Sequence, residues 1–173
     1  MTIGVLKEPS PETRISLLPE HLISLKKLNV DVVIEKNAGV TAFANDDKYL
    51  ENGAVIKSRE EVLSSSDIIL SINNFTAAET ASMKKGAVVL GIYQPLFHFN
   101  LMKDWAAAGL SVFSIDMIPR TTRAQSMDVL SSQANIAGYK AVLLAANLFP
   151  KYFPMFMTAA GTIKPSKVVI MGA

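Results

Sequence analysis

Apolar residues fall into short runs separated by polar, helix-compatible stretches. Ile3-Gly4-Val5-Leu6, Val30 to Ile34, Ala54-Val55-Ile56, Asp67 to Ile72, Ala87 to Tyr93 and Leu110 to Ile115 have the length of strands. Several are near-continuous apolar runs, as strands covered on both faces are. Helical patterns with start and stop signals lie between them. After a polar loop, Lys7 to Leu18, Pro19 suits a first helical position. Leu22, Leu25 and Leu28 follow at helical spacing, and Asn29 marks a stop. Asp46 to Leu50 reads as a short helix ended by Asn52-Gly53. Ser58 with Glu61 and Thr76 with Glu79 are capping-box pairs that open two more helices, the second closed by Gly86. Asn100 is expected to cap a helix through Trp105 that stops at Gly109. Phe153 to Ala159 and Lys167 to Met171 read as short extended segments. This alternation predicts an α/β fold, a doubly wound, mostly parallel sheet with helices on both faces, flavodoxin-like or Rossmann-like. Ligands of such folds sit at the carboxyl ends of strands. The loops at Asn73-Asn74, Gln94-Pro95 and Pro119 to Arg123 are therefore expected to share one rim.

The stretch from Pro119 to Leu148 breaks the short rhythm. It opens with a loop bearing Arg120 and Arg123 and then reads as one long C-terminal helix with no proline. At about 100° per residue, Gln125, Asp128, Ser131, Ser132, Asn135 and Tyr139 fall within an arc of roughly 120°. Beyond Tyr139 the run AVLLAA is apolar nearly all round, which predicts burial. Tyr139 and Asn135 are then expected to be buried polar groups satisfied by backbone. A buried helix with one polar stripe must satisfy that stripe, through internal hydrogen bonds or through a polar ligand.

Composition narrows the function classes. The chain has 173 residues, half of them hydrophobic, and its mean hydropathy is +0.29, which suits a domain with a substantial core. The net charge of +2 comes without any basic run, so nucleic-acid binding has no support. Without cysteine, disulfides, thiol catalysis and zinc-thiolate sites are excluded. His21 and His98 are too far apart in sequence to suggest a metal motif. No apolar run approaches the ~20 residues of a membrane span. The opening MTIGVLKE reads as a strand and not as a targeting peptide, so a cytoplasmic location is expected. At the other end, an apolar strand pattern followed by Gly172-Ala173 is the way a glycine-rich phosphate-binding turn begins, although the full motif is absent. The chain is therefore expected to be the front part of something longer.

Taken together, IGVLKEPSPETRISLLPE, VVIEKNAG, DIILSIN, PRTTRAQSMDVLSSQANIAGYKAV and TAAGTIKPSKVVIMGA resemble the N-terminal domain shared by alanine dehydrogenase and the alpha subunit of proton-translocating NAD(P)+ transhydrogenase. The resemblance runs over the whole chain and implies an N-terminal α/β domain over 1–148. Residues 149–173 would be a connection and the first strand of an NAD-binding Rossmann domain. The transhydrogenase branch fits better. Alanine dehydrogenases use a lysine and a histidine on the keto acid in the loops that here carry Asn73-Asn74 and Tyr93-Gln94, and an amide supplies neither the charge nor the proton transfer. Arg14 matches an arginine those dehydrogenases place on the substrate carboxylate; here it reads as structural, ion-paired with Glu8 or Glu12. The resemblance implies hydride transfer between NAD(H) on this subunit and NADP(H) on a partner domain, coupled to proton translocation by membrane-embedded subunits. The full-length protein would be a homodimer, peripheral on the inner face of a bacterial membrane. By the same resemblance Arg120, Gln125, Asp128 and Ser131 line the nicotinamide end of the NAD site and Gly172 begins its phosphate turn. Gln125 and Asp128 act closest to the transfer. Asp128 and Ser131 bond the ring carboxamide, Arg120 places the ring or a phosphate-ribose oxygen, and Gln125 sits at the face shared with NADP(H). The fragment alone is expected to be inactive. An amino-acid dehydrogenase relative and a non-catalytic ligand-binding domain are the alternatives.

Overall fold

The structure, a computed structural model, describes residues 1–172, which divide into two compact units, Met1–Met127 and a second that starts at Asp128. The first unit holds six strands: β1 (Thr2–Val5), β2 (Asp31–Glu35), β3 (Val55–Lys57), β4 (Ile68–Leu70), β5 (Val88–Gly91) and β6 (Ser111–Ser114). All pair in parallel in the order β3-β2-β1-β4-β5-β6, with Ile3 beside Val32 on one side and Ile68 on the other. This is the strand order of dinucleotide-binding folds, with its direction reversing between β1 and β4. The expected parallel α/β sheet is therefore present.

Five helices fill the crossovers: α1 (Leu22–Lys26), α2 (Asp46–Glu51), α3 (Arg59–Ser65), α4 (Ala77–Ser82) and α5 (Phe99–Ala107). The strand pleat sends alternate residues to opposite faces. Val33, Ile69 and Val89 join Val62, Leu63, Met83 and Trp105 in one core, while Ile3, Val5, Val32 and Ile34 join Leu22 and Tyr49 in the other. Each such side chain contributes roughly 1.5–3 kcal/mol by leaving water. Both capping boxes form, Ser58 with Glu61 and Thr76 with Glu79. Asn29 takes a left-handed conformation just past α1, as its role as a stop requires. The Pro19 helix is shorter and tighter at its start than expected, a 3₁₀ turn over Pro19–His21 leading into α1. Asn100 is not a cap: α5 begins one residue earlier, with His98 at the cap position and no side-chain bond there.

In the second unit α6 (Val129–Leu148) is followed by an antiparallel hairpin, β7 (Phe156–Thr158) and β8 (Gly161–Ile163). The long helix exists, but its burial does not. No residue of α6 is buried, and Val142, Leu143 and Leu144 lie about half exposed. Apolarity demands a covering surface without supplying one. Asn135 and Tyr139 are accordingly exposed and not the buried polar groups expected. Lys167 to Met171 forms no strand, because an apolar segment becomes a strand only when a neighbour accepts its hydrogen bonds.

Candidate functional site

A parallel sheet puts every strand's carboxyl end on one edge. In the first unit that edge gathers Lys7 and Glu8 after β1, Ser71 to Phe75 after β4, Tyr93 and Gln94 after β5, and the segment from Ile115 after β6. Between β1 and β4 lies a cavity of about 130 Å³, walled by Glu8, Arg59, Ser71, Asn73, Phe75 and Glu79 among others. Glu8 is buried, and its carboxylate is fully engaged. Oε1 accepts the Ile72 backbone N–H at 2.6 Å, and Oε2 accepts the Asn73 backbone N–H at 3.1 Å and its side-chain amide at 2.9 Å. Beside it Arg59 ties three elements together. Its guanidinium donates to Glu79 at 2.7 Å, to Glu35 at 2.7 Å and to the Lys7 carbonyl at 3.0 Å. Deeper in, the Ser71 and Tyr93 hydroxyls meet at 2.9 Å. Burial pushes the Tyr93 phenol well above its ordinary value, so it remains neutral.

The residues singled out from sequence are placed as follows. Arg14 pairs with Glu12 at 2.6 Å, which favours the second of its two expected partners. The Asn73 amide is committed to Glu8, whereas Gln94 is exposed and holds a positive φ of 47°. After β6 the chain makes a 3₁₀ turn, Ile115–Met117, passes Pro119 and Arg120, and makes a second one, Thr122–Met127. Only Ala124 is buried in that second turn, so Arg120, Arg123 and Gln125 all face solvent. Gln125 is thus not on the long helix, and the single helical stripe drawn from sequence is interrupted at Asp128.

Asp128 is the N-cap of α6. Its Oδ1 accepts the Ser131 backbone N–H at 3.0 Å and its Oδ2 accepts the Ser131 hydroxyl at 2.7 Å. These two of the expected site residues are therefore brought together. Arg120 and Gln125 belong to the first unit, while Asp128, Ser131 and Gly172 belong to the second. Gly172 has a φ of +82°, the left-handed conformation a glycine turn uses; Ala173 after it lies outside the described residues. The second unit also holds an apolar cavity of about 410 Å³ with Leu148, Phe149, Phe153 and Val169 among its walls.

Chemically, Asp128 offers carboxylate acceptors and Ser131 a hydroxyl in the second unit, while Gln125 in the first offers an exposed amide. Among the described residues no group of acidic or histidine side chains could hold a metal, and no helix is long and apolar enough to cross a membrane. The Glu8 and Arg59 arrangement was not read from sequence. Its only signal there was a glutamate one residue beyond the apolar run of the first strand, after Lys7.

Residues 4–137 match the family described as alanine dehydrogenase/PNT, N-terminal domain. The chain is 40% identical over its full length to NAD(P) transhydrogenase subunit alpha of Haemophilus influenzae, of which it spans 34%. The solved transhydrogenase from Sinorhizobium meliloti matches with a TM-score of 0.89 and 40% identity, over 95% of this chain and 50% of that one. A solved L-alanine dehydrogenase matches with a TM-score of 0.62 and 25% identity, over 67% of this chain and 32% of that one.

Proposed function

Since the chain belongs to the alanine dehydrogenase/PNT N-terminal domain family, we propose that it is the front part of a transhydrogenase alpha subunit and supplies the nicotinamide-side wall of the NAD site. The activity of the longer protein would be hydride transfer between NAD(H) held here and NADP(H) on a partner domain, coupled to proton translocation by membrane-embedded subunits. On this reading residues 1–148 are the N-terminal domain and 149–173 lead into the dinucleotide-binding domain, where Gly172 starts the phosphate turn. The full-length protein would be a homodimer lying against the inner face of the membrane through those subunits.

The observation that carries the reading is the pair of amides at Asn73 and Gln94. A keto-acid reaction needs a cation on the carbonyl and a group that moves a proton. Asn73 gives its amide to Glu8, and Gln94 has nothing to transfer. Hydride transfer needs neither. It requires two nicotinamide rings oriented at close range with water excluded, which is work for hydrogen-bonding side chains. Asp128 and Ser131 would hold the carboxamide of the ring, Arg120 would place the ring or a nearby oxygen, and Gln125 would border the NADP(H) side. NAD(H), when bound, would supply the hydride chemistry itself. The greater likeness to transhydrogenase alpha subunits than to the alanine dehydrogenase supports the same choice.

The test uses the longer protein with its partner subunits. Reduction of an NADP analogue by NADH is expected, with no turnover of alanine or pyruvate. Alanine-dependent NAD reduction without transhydrogenation would replace this reading with that of an amino-acid dehydrogenase.

A further inference from the structure

The crevice between β1 and β4 is where a doubly wound sheet receives an anionic ligand, because the strand order reverses there and the two connections leave in opposite directions. In this chain the N–H groups of Ile72 and Asn73 and the Asn73 side-chain amide converge at that point, and all three donate to one carboxylate, that of Glu8. The carboxylate comes from the neighbouring strand's end and is buried, at 8% exposure. We infer that Glu8 is a built-in anion that fills the switch-point cradle, so that this crevice is closed to carboxylate ligands and becomes a carboxylate-binding site when Glu8 is removed.

Three details support it. First, the bonding is that of a bound ligand. Both oxygens are engaged, one by a backbone N–H and the other by a backbone N–H with a side-chain amide, at 2.6 to 3.1 Å. Second, the acid at the end of β2, which in dinucleotide-binding sheets reaches a ribose, is also internally consumed. Glu35 accepts the Lys7 backbone N–H at 2.8 Å and the Arg59 guanidinium at 2.7 Å. Both polar features that a ligand would use are thus satisfied by the chain itself. Third, a cavity of about 130 Å³ already adjoins Glu8, so a small molecule has room to reach the cradle once the side chain is shortened. The closure holds whichever nicotinamide reaction the longer protein carries out.

Truncating Glu8 to alanine removes a CH₂ and a carboxylate, and acetate restores that same pair of groups. The 173-residue chain and its Glu8→Ala and Glu8→Gln variants are refolded and melted in sodium acetate and in sodium chloride at equal ionic strength. Glu8→Ala is expected to melt about 5–10 °C below the parent in chloride, since three part-buried donors lose their acceptor. It should recover at least half of that loss in acetate, saturably in the millimolar range. Folding of Glu8→Ala in acetate alone would be the same result in stronger form. The parent and Glu8→Gln, whose cradle stays filled, should melt alike in the two salts. A Glu8→Ala chain that melts at the same temperature in both salts, or folds in neither, overturns the inference. So does an acetate response of equal size in Glu8→Gln.

Discussion

The Asp128 carboxylate grips Ser131 twice, through the backbone N–H at 3.0 Å and through the hydroxyl at 2.7 Å. The first bond satisfies one of the free donors at the start of α6, and the second orients a side chain that the proposed NAD site would use. Asp128→Ala should therefore cost about 1 kcal/mol of stability, as loss of an N-cap does. In the longer protein it should slow hydride transfer more than it weakens NAD binding, because most contacts to the dinucleotide lie outside these residues on the proposed reading. Ser131→Ala keeps the backbone cap, so it should leave stability nearly unchanged and still impair transfer. Thermal melts beside paired measurements of transfer rate and NAD affinity separate the two roles. Equal losses of rate and affinity in Asp128→Ala would count against its place beside the nicotinamide.

Gly91, at the end of β5, lies where two backbones come too close for a side chain. A Cβ there would sit 2.1 Å from the Ser71 carbonyl oxygen and 2.7 Å from the Tyr93 hydroxyl. Neither can yield without parting β4 from β5 or breaking the Ser71–Tyr93 bond. Gly91→Ala should thus destabilise the chain by about 2–3 kcal/mol or more, at the upper end of overpacking costs. Gly138, inside α6, has nothing within 4 Å of an added Cβ. Gly138→Ala should stabilise α6 by up to ~1 kcal/mol through helix propensity alone. Urea unfolding of the two variants checks the contrast; similar effects at both positions would contradict the packing described.

Why some of this was legible in the sequence and some was not follows from the range of the interactions. The six strands and both capping boxes depend on apolar runs and on pairs three residues apart, such as Ser58 with Glu61, which a linear pattern displays. The fate of Val142 to Leu144 depends on whether a surface covers them, and nothing within the run states that. Lys167 to Met171 fails as a strand for the same reason. Glu8 was hidden because its partners, Ile72 and Asn73, are more than sixty positions away and are mostly backbone groups without identity. Asp128 and Ser131 are paired through the family resemblance, whereas the cap that joins them is not evident in the linear pattern, because Asp128 falls on the helical stripe there.

Arg59 is the cation that pairs with both Glu35 and Glu79. Its own side chain is about one-third exposed, so solvent screens the pair without removing the dependence. Burial alone would raise the Glu79 carboxyl, but the bonds from Thr76 and Arg59 outweigh it and hold the carboxyl below its usual range. Arg59→Met should cost about 1–2 kcal/mol at neutral pH, between the values for exposed and buried pairs, and should let the Glu79 carboxyl titrate higher. The deficit should shrink in acid, as the Glu79 carboxylate, without the arginine, takes up its proton at a higher pH than in the parent. A deficit that is constant between pH 7 and pH 4 would show that lost packing of the arginine stem, and not charge, sets the cost.

Glu12 gives the clearest dependence on pH. The side-chain bond from Arg14 is the largest influence on its carboxyl, which is lowered from 4.5 to about 2 against the opposing effect of burial. A carboxyl lowered on folding stabilises the native state where it is ionised in both states, above its unfolded value. That contribution is complete above about pH 4.5 and drains away as pH falls toward 2. Its size is modest, because Arg14 is 47% exposed and water screens the pair; about 0.5 kcal/mol is expected at pH 6. The parent should therefore exceed Glu12→Gln in urea midpoint at pH 6, with the gap narrowing steadily from pH 4.5 to pH 3. A direct titration of the Glu12 carboxyl by carbon-detected NMR should give a midpoint near 2 that moves back toward 4.5 in Arg14→Ala. A midpoint indifferent to Arg14 would mean that the neighbouring backbone donors of Thr13 and Arg14, at 3.0 and 2.9 Å, hold the carboxylate without help from the guanidinium.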